Sequence, residues 1–154
     1  MLLRKVCEFA AKHLPSSTIA KDGVKYLTRY YLFLKDRKFG NIYLHHFHHS
    51  DADIGSCGYG LLHNHPVPWA FGFVLINGYA EERRNADDSV SSKLVPPFTF
   101  NFITHKEFHR VDLIKDDAWT LFVTGPRKSG LDWGFWDRLT KEYIPWKTVP
   151  GAIE

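Results

Sequence analysis

Short apolar segments separated by turn signals constrain the fold of this chain more than any other feature. The clearest case is residues 69–76, a nearly continuous apolar run, followed by Asn77-Gly78 and a second strand-like segment at 79–84. An Asn-Gly pair between two such segments is a strong signal for a β-hairpin. A run with apolar residues on both faces suits a barrel strand or a strand buried on both sides. This part of the chain therefore predicts two antiparallel strands.

Strand patterns recur along most of the chain. Within residues 98–103 phenylalanine occupies every second position, which is the period of a half-buried strand. The other predicted strands cover residues 25–35, 42–48, 61–65, 108–114, 118–124 and 133–136. Roughly eight or nine short strands between turns are typical of an all-β sandwich or barrel. Residues 85–92 are predicted to form a polar loop, and the aromatic segment 143–149 is predicted to pack on the barrel.

The beginning of the chain has a different pattern. Apolar residues at three- and four-residue spacing predict a short amphipathic helix over residues 2–14, which ends before Pro15. We therefore expect residues 1–24 to form a helix and lead-in, residues 25–149 a single barrel domain, and residues 150–154 a tail. A chain of 154 residues has the length of one domain.

Composition and charge narrow the possible functions. The chain is 44% hydrophobic and 16% aromatic, which excludes a disordered polypeptide. The net charge is +3, and no run of Lys and Arg occurs, so nucleic-acid binding is not expected. Cys7 and Cys57 imply no disulfide framework, which favours the reducing cytoplasm. Charged residues interrupt the first segment, so we expect neither a signal peptide nor a membrane span.

The strongest chemical signal is His63-Asn64-His65. Residues two apart on a strand point to the same face, so His63 and His65 present two imidazoles to one ion. His105 and His109 are the candidates for a third ligand. On one strand these two lie roughly 13 Å apart, so both cannot bind the same ion, and we prefer His109. A site with three ligands leaves positions open for substrate, water or dioxygen.

With these residues the chain resembles the cupin superfamily. The first cupin motif combines glycines with His-x-His, as in Gly58 or Gly60, His63-x-His65 and Gly78, and the second motif ends in a histidine at the place of His109. The chain also resembles a group of small cupins from bacteria and bacterial viruses. The segments that carry this second resemblance are residues 50–53, 63–66, 78–81, 109–111 and 119–126.

The resemblance spans roughly residues 26–149 and implies a specific architecture. We expect an all-β, cupin-type double-stranded β-helix, or jelly-roll, barrel with one short N-terminal helix. It also implies one divalent transition metal held by His63, His65 and His109. The small-cupin group has no settled activity, so the resemblance supports the fold and the metal rather than a reaction.

The chain departs from the cupin pattern at one ligand. The glutamate of the first motif should fall at Trp69 or Ala70, and neither residue is a carboxylate. The remaining three-histidine site resembles that of the cupin thiol and diketone dioxygenases, which use iron, so Fe is expected while Zn, Mn and Ni stay open. Glu81 is a possible substitute ligand, although its position three residues after the hairpin turn predicts a place far from His63.

Several further residues are candidates for the site. His105 or Tyr79 is expected to move protons. Residues 45–49 contain four histidines that alternate across a strand, so at most one pair could share an ion. We expect an exposed or rim strand there, with His46 or His48 at the barrel mouth. Trp69, Phe71, Phe73 and Trp119 are expected in the core and in the pocket wall, and Arg110 in an ion pair pointing away from the metal.

Three functions remain open at this point. The first is an Fe(II) dioxygenase acting on a small anionic or chelating molecule. The second is a non-redox isomerase, lyase or hydrolase in which Zn, Mn or Ni polarises a carbonyl. The third is a sugar- or nucleotide-binding protein without catalysis. The expected partner is a small-molecule substrate, without membrane or nucleic acid, and a homodimer is possible.

Overall fold

The structure is a computed structural model that describes residues 2–21, 23–33, 39–51 and 61–148. Cys57, Gly58 and Gly60 lie outside these residues, as does the proposed tail. The chain begins with one helix, α1 (Leu2–His13), which confirms the helix expected from the spacing of apolar residues. Within the described ranges, no helix has the length and apolar character needed to cross a membrane.

The rest of the described chain is mainly β-strand. The strands are β1 (Ser16–Lys21), β2 (Val24–Tyr31), β3 (Asn41–Phe47), β4 (Leu62–His63), β5 (Trp69–Ile76), β6 (Tyr79–Arg84), β7 (Val90–Val95), β8 (Phe100–Thr104), β9 (His109–Leu113), β10 (Ala118–Thr124), β11 (Gly134–Trp136) and β12 (Tyr143–Pro145). A single 3₁₀ turn, Trp146–Thr148, follows β12.

The strands form two six-stranded antiparallel sheets. The first has the order β1-β2-β3-β10-β5-β8, and the second has the order β12-β11-β4-β9-β6-β7. The chain alternates between the two sheets, so strands distant in sequence become neighbours. The core between the sheets is apolar, and its buried residues are Leu27, Phe47, Val74, Tyr79, Val95, Val111 and Ala118. This arrangement confirms the all-β jelly-roll barrel.

The hairpin predicted at Asn77-Gly78 is present with the predicted strand bounds. Both residues have positive φ, 68° for Asn77 and 78° for Gly78. A side chain at Gly78 would place its Cβ 2.6 Å from the backbone oxygen of Val95. Glycine is therefore required here by the backbone conformation and by the close approach of the chain after β7.

Three of the four aromatic residues expected in the core and pocket wall lie elsewhere. On β5 the buried positions are Ala70, Gly72 and Val74, so Trp69, Phe71 and Phe73 belong to the opposite face of the strand. Trp119 is a core residue, as expected, and packs in a buried cluster with Cys7 and Leu44 and with apolar residues of α1. The inner face of β5 carries the smaller side chains of Ala70, Gly72 and Val74 instead.

The strand at 98–103 shows the predicted period with its phenylalanines outside. Phe98, Phe100 and Phe102 are exposed, whereas Asn101 and Ile103 are buried. Phe100 stacks on Phe71 at a ring-centroid distance of 5.0 Å. The alternation identified the strand, but the inward face is the one that carries an asparagine.

Two strands differ from the prediction because both lie at sheet edges. β1 occupies residues assigned to the lead-in, and β7 begins inside the predicted polar loop. β1 pairs only with β2, and β7 pairs only with β6, among the described strands. Of the six residues of β7, only Val95 is buried. Their sequences therefore carry little apolar signal, and backbone pairing with the neighbouring strand supports them.

The Asp117 carboxylate attaches helix α1 to the barrel. Arg4 donates two hydrogen bonds to it, from Nη1 at 2.7 Å and from Nη2 at 2.8 Å. His46 Nε2 donates at 3.0 Å, Trp119 Nε1 at 3.1 Å and Asn77 Nδ2 at 2.7 Å. The hydrogen bonds from Arg4 are the largest cause that holds the pKa of Asp117 well below its usual value of 3.8.

We expect Asp117→Asn to lower the free energy of unfolding by about 2 kcal/mol at pH 7, because several donors lose a charged acceptor. Since folding lowers the pKa of Asp117, this stabilisation is present above pH 3.8 and is lost as the pH falls below it. Urea denaturation at pH 7 and pH 3 measures both effects. The exposed neighbour Asp116 supplies the control Asp116→Asn, and an equal cost for the two variants at pH 7 contradicts the assigned role.

Candidate metal centre

Strand pairing brings three histidines together at one end of the barrel. β4 and β9 are antiparallel neighbours in which His63 lies directly opposite His109. The ring centroids of these two are 4.7 Å apart, and the ring of His65 lies 5.0 Å from His63 and 5.1 Å from His109. One ligand nitrogen from each ring lies within 4.8 Å of the others. The structure thus assembles the three histidines that the sequence pattern selected.

The buried side chain of Asn64 holds the segment between two of these histidines. Its Nδ2 donates to the backbone oxygen of His105 at 2.8 Å, and its Oδ1 accepts from the backbone N–H of Gly134 at 2.8 Å. β4 ends at His63, so the chain at His65 has no strand partner of its own. The hydrogen bonds of the Asn64 side chain take the place of strand pairing in this segment. No pattern in the sequence had indicated this role.

A carboxylate fixes the orientation of His109. The Nδ1 atom of His109 lies 2.9 Å from Oε1 of Glu81, and Glu81 is fully buried. An ionised carboxylate only accepts hydrogen bonds, so His109 Nδ1 carries the proton and donates it. In the neutral ring this leaves the lone pair on Nε2, the atom that faces His65 at 2.9 Å. The tautomer of His109 is therefore the one that ligates a metal through Nε2.

A network of donors keeps Glu81 ionised. Asn101 Nδ2 donates to Oε1 at 2.7 Å, Arg83 Nε donates to Oε2 at 2.9 Å, and Lys93 Nζ lies 3.2 Å from Oε2. Burial acts to raise the pKa of Glu81, but the hydrogen bonds that His109, Arg83 and Asn101 donate to the carboxylate outweigh it and hold the pKa well below its usual range.

The expectation that Glu81 lies far from the site is wrong. β6 pairs with β9, and this pairing sets Glu81 opposite Val111 and Arg83 opposite His109. The distance along the hairpin suggested separation, whereas the neighbouring strand brings the carboxylate onto the His109 ring. In this structure Glu81 contacts the side of His109 that faces away from the other two histidines.

Asp51 contacts a second histidine of the group. Its Oδ2 lies 3.5 Å from Nδ1 of His63 and accepts the backbone N–H of Val111 at 2.7 Å. Burial raises the pKa of Asp51 to about 7, against the opposing effect of the Val111 hydrogen bond. In the sequence Asp51 belonged only to the segment 50–53 of the small-cupin resemblance, without a connection to His63.

The electrostatics of the group favour neutral imidazoles. Burial is the largest cause that lowers the pKa of His63 and of His65 well below the usual value of 6.5, and the neighbouring histidines act in the same direction. A neutral imidazole offers a lone pair, which is the form that binds a metal. The side chain of His63 keeps 20% of its exposure, so the group remains accessible from solvent.

The donor set fits one transition-metal ion. Three imidazole nitrogens suit Fe, Zn, Ni or Cu better than Mg or Ca, which prefer oxygen. Two ligands about 2.1 Å from one ion and at right angles to each other lie about 3 Å apart. The separation of 2.9 Å between His65 Nε2 and His109 Nε2 agrees with that value. Without an ion the same distance is a hydrogen bond donated by His65.

The structure places the two predicted proton-transfer residues differently. Tyr79 is buried, and its hydroxyl accepts from Asn101 Nδ2 at 3.4 Å, so it connects with Glu81 through that amide. Burial raises the pKa of Tyr79 above its usual value of 10. His105 lies in the turn between β8 and β9 and is not part of the group of three. The catalytic roles of His105 and Tyr79 stay predictions.

The histidines of β3 do not form the exposed rim strand that we expected. His46 stacks on Trp119 at a centroid distance of 3.9 Å, outside the barrel, and His48 Nε2 lies 2.9 Å from Thr28 Oγ1 on the same face. His45 is the residue that points inward, and it is 4% exposed. The alternation of histidines predicted that they lie on two faces of the strand. Packing in the core determines which of these faces points into the barrel.

Arg110 lies where the alternation predicted. It follows His109 on β9 and forms ion pairs with Asp112 at 2.6 Å and with Glu82 at 3.3 Å. Its charge is thus neutralised on the outer face of the second sheet rather than directed at the three histidines.

Comparisons with known proteins identify the fold. No family model and no curated protein matches this chain. The Fe(II) form of HppE matches with a TM-score of 0.57 and 16% identity over 73% of this chain and 57% of that one. CapF with the inhibitor 3-isopropenyl-tropolone matches at 0.51 and 15% over 73% of this chain and 30% of that one. KdgF from Halomonas sp. matches at 0.51 and 12% over 77% of this chain and 92% of that one.

These three proteins have cupin folds, so this chain has a cupin-like fold, as the resemblance implied. HppE is also described as the hydroxypropylphosphonic acid epoxidase from S. wedmorenis. The present chain spans less than two thirds of the length of the HppE structures. At these identities the likeness concerns the fold alone.

We expect Asn64→Ala to lower the free energy of unfolding by about 2 kcal/mol, because it leaves the buried N–H of Gly134 and the half-buried carbonyl of His105 without these partners. Amide hydrogen exchange provides a local measurement, in which the N–H of Gly134 should exchange faster in the variant. Asn85→Ala is the matched control, since Asn85 is exposed and bonds with Ser89 and Ser91 in a loop. Unchanged exchange at Gly134 would contradict the assigned bridge.

Proposed function

We propose that this protein is a metal-dependent enzyme of dioxygenase type that holds one Fe(II) through His63, His65 and His109 and acts on a small molecule. One observation carries the proposal: three imidazoles converge, and the Glu81 carboxylate contacts His109 Nδ1, so that His109 Nε2 faces the other two rings. A buried carboxylate behind a ligating histidine is a common feature of metal sites in proteins.

The choice of iron rests on the ligand set and on the fold. Three neutral ligands leave the full double charge of the ion and open positions around it. Bound Fe(II) supplies the electrons and the binding site that dioxygen chemistry needs. The HppE structure named above contains Fe(II), which supports the proposal of a divalent ion in this cupin-like fold. Zn, Mn or Ni would serve the non-redox alternative.

The residues around the group have separate roles in this proposal. Glu81 and Asp51 orient His109 and His63 through the ring nitrogens that they contact. We place the substrate between the histidines and the inner face of β5, where Ala70 and Gly72 are the smallest buried residues. Tyr79 keeps its proton at neutral pH, and the Asn101 amide, which donates to both groups, joins its hydroxyl to Glu81.

The second proton-transfer candidate is His105, which would act from the turn after β8. Its backbone already contacts the site, because the His105 carbonyl accepts the hydrogen bond of Asn64. We therefore propose that His105 lies at the rim of the pocket and that Tyr79 lies at the base of the pocket.

Metal analysis tests the site directly. We expect the purified protein to bind one equivalent of a transition metal and His109→Ala to lose it. Glu81→Gln should weaken metal binding by about 10- to 100-fold, because the neutral amide orients the ring less firmly than the carboxylate and does not offset the charge of the ion. The control is Glu82→Gln, since Glu82 pairs with Arg110 and Arg138 outside the barrel. Elemental analysis and competition with a chelator measure both quantities. A wild-type protein without metal after reloading would refute the metalloenzyme.

Dioxygen uptake tests the reaction type. We expect the Fe(II)-loaded protein to consume dioxygen with at least one member of a panel of small hydroxy acids, keto acids, phosphonates, thiols and diketones. An oxygen electrode measures uptake, and the Zn(II)-loaded protein is the control. Turnover without oxygen in the Zn(II) form would favour the isomerase or lyase instead. Ligand binding that is unchanged by metal removal would favour a sugar- or nucleotide-binding protein.

Two further expectations belong to this proposal. Cys7 is buried as a free thiol, which is compatible with the reducing cytoplasm as the compartment. The possible homodimer also stays a prediction. The exposed phenylalanines of β8 and its turn provide an apolar surface that such a dimer would bury.

A further inference from the structure

His45 is a buried imidazole without a hydrogen-bond partner. Among the residues that the structure describes, neither Nδ1 nor Nε2 of His45 has a partner, and neither atom is exposed to solvent. The residue is 4% exposed. Buried polar groups in folded proteins nearly always have a partner, so an orphaned ring inside the barrel is a candidate for binding a group from outside the protein.

The ring of His45 lies inside the barrel, close to the three histidines. It stacks on Phe122 at a centroid distance of 4.6 Å, and the same Phe122 ring lies 5.9 Å from His65. Tyr43 and Phe47 contact its other sides at 5.5 Å and 5.8 Å. One aromatic ring is thus shared between the unpartnered imidazole and a proposed metal ligand. His45 is therefore separated from His65 by a single aromatic ring.

Arg29 adds a positive charge beside His45. β2 and β3 pair with Arg29 opposite His45. Leu27 and Tyr31, two residues before and after Arg29, are buried, so alternation directs Arg29 to the same inward face. Besides burial, which is the largest cause, the charge of Arg29 contributes to the lowered pKa values of His45, His63 and His65. The guanidinium therefore acts on the whole group of rings.

We propose that His45 and Arg29 form the anion-binding end of the pocket, which takes a small organic anion. The carboxylate or phosphonate group of this anion accepts a hydrogen bond from the His45 ring. The remaining oxygen atoms of the anion face the three histidines. This inference rests on the proposed function and specifies its substrate class. Phe122 and the small residues of β5 contact the carbon skeleton between the two ends, so the skeleton is short and apolar.

Three probes and calorimetry test this assignment on the Zn(II)-loaded protein. Malonate carries two carboxylates, phosphonoacetate carries a carboxylate and a phosphonate, and acetylacetone chelates a metal without an anionic tail. We expect His45→Phe, which keeps the stacking on Phe122, to weaken the binding of at least one anionic probe by about tenfold or more. Acetylacetone should bind equally to variant and wild type. Arg29→Gln should show the same selectivity, and the difference between malonate and phosphonoacetate identifies the preferred anionic group.

His46→Phe is the matched control, because it makes the same change one residue further on the outward face of β3. It should leave the binding of all three probes unchanged. The thermal midpoint gives an independent readout: His45→Phe should raise it, since the variant removes an unpartnered buried polar group. Equal affinity of His45→Phe and wild type for both anions would overturn the proposal. Binding of acetylacetone without either anion in the wild type would overturn it as well.

Nuclear magnetic resonance of the wild-type ring removes the dependence on a folded variant. Malonate or phosphonoacetate should shift the His45 ring nitrogens and slow the exchange of a ring N–H. The same titration on metal-free protein separates this inference from the proposed function. If elemental analysis finds no metal, a His45 response to the anion still supports the anion-binding end. A silent His45 ring in protein that holds its metal overturns it.

Discussion

The fully buried charge of Glu81 is the constraint on which the rest of the structure depends. A carboxylate without water is tolerated only when donors satisfy its oxygens, and here an amide, two cationic side chains and an imidazole do so. These donors come from both sheets, because Asn101 lies on β8 and His109 on β9. One anion therefore ties the two layers of the barrel together and sets the protonation of a residue at its open end.

Much of the fold was predictable because its signals are local. Helix α1 and the hairpin around Asn77-Gly78 follow from short-range patterns of apolar residues and from one turn dipeptide. The edge strands β1 and β7 were not predictable in this way, because their neighbours rather than their own apolar residues hold them. The alternating period of the 98–103 strand was visible in the sequence, but the face that points into the barrel was not. That choice of face depends on Asn101, whose inward place is set by a hydrogen bond to a residue about twenty positions earlier.

The residues of the candidate site likewise fall into those with a local sequence signal and those without one. His63 and His65 were identifiable because a spacing of two on a strand is a local property, and His109 because of its place in a family pattern. Glu81, Asp51 and Asn64 contact the group through strand pairs and loops that join distant segments. For this reason the spacing in the sequence placed Glu81 too far from the site. The same spacing gave His45 no role, because the alternation of side chains along a strand does not tell which face points inward.

The hydrogen bond between Asn64 and Gly134 has a consequence for biosynthesis. It joins residues 70 positions apart in the chain. During translation the His63-x-His65 segment leaves the ribosome long before its clamp exists, and His109 also precedes β11. The three imidazoles therefore acquire their final arrangement only when the chain has been made as far as β11. Capture of an ion in the native geometry is thereby postponed until the barrel is nearly closed, which limits premature coordination by a nascent, half-folded polypeptide.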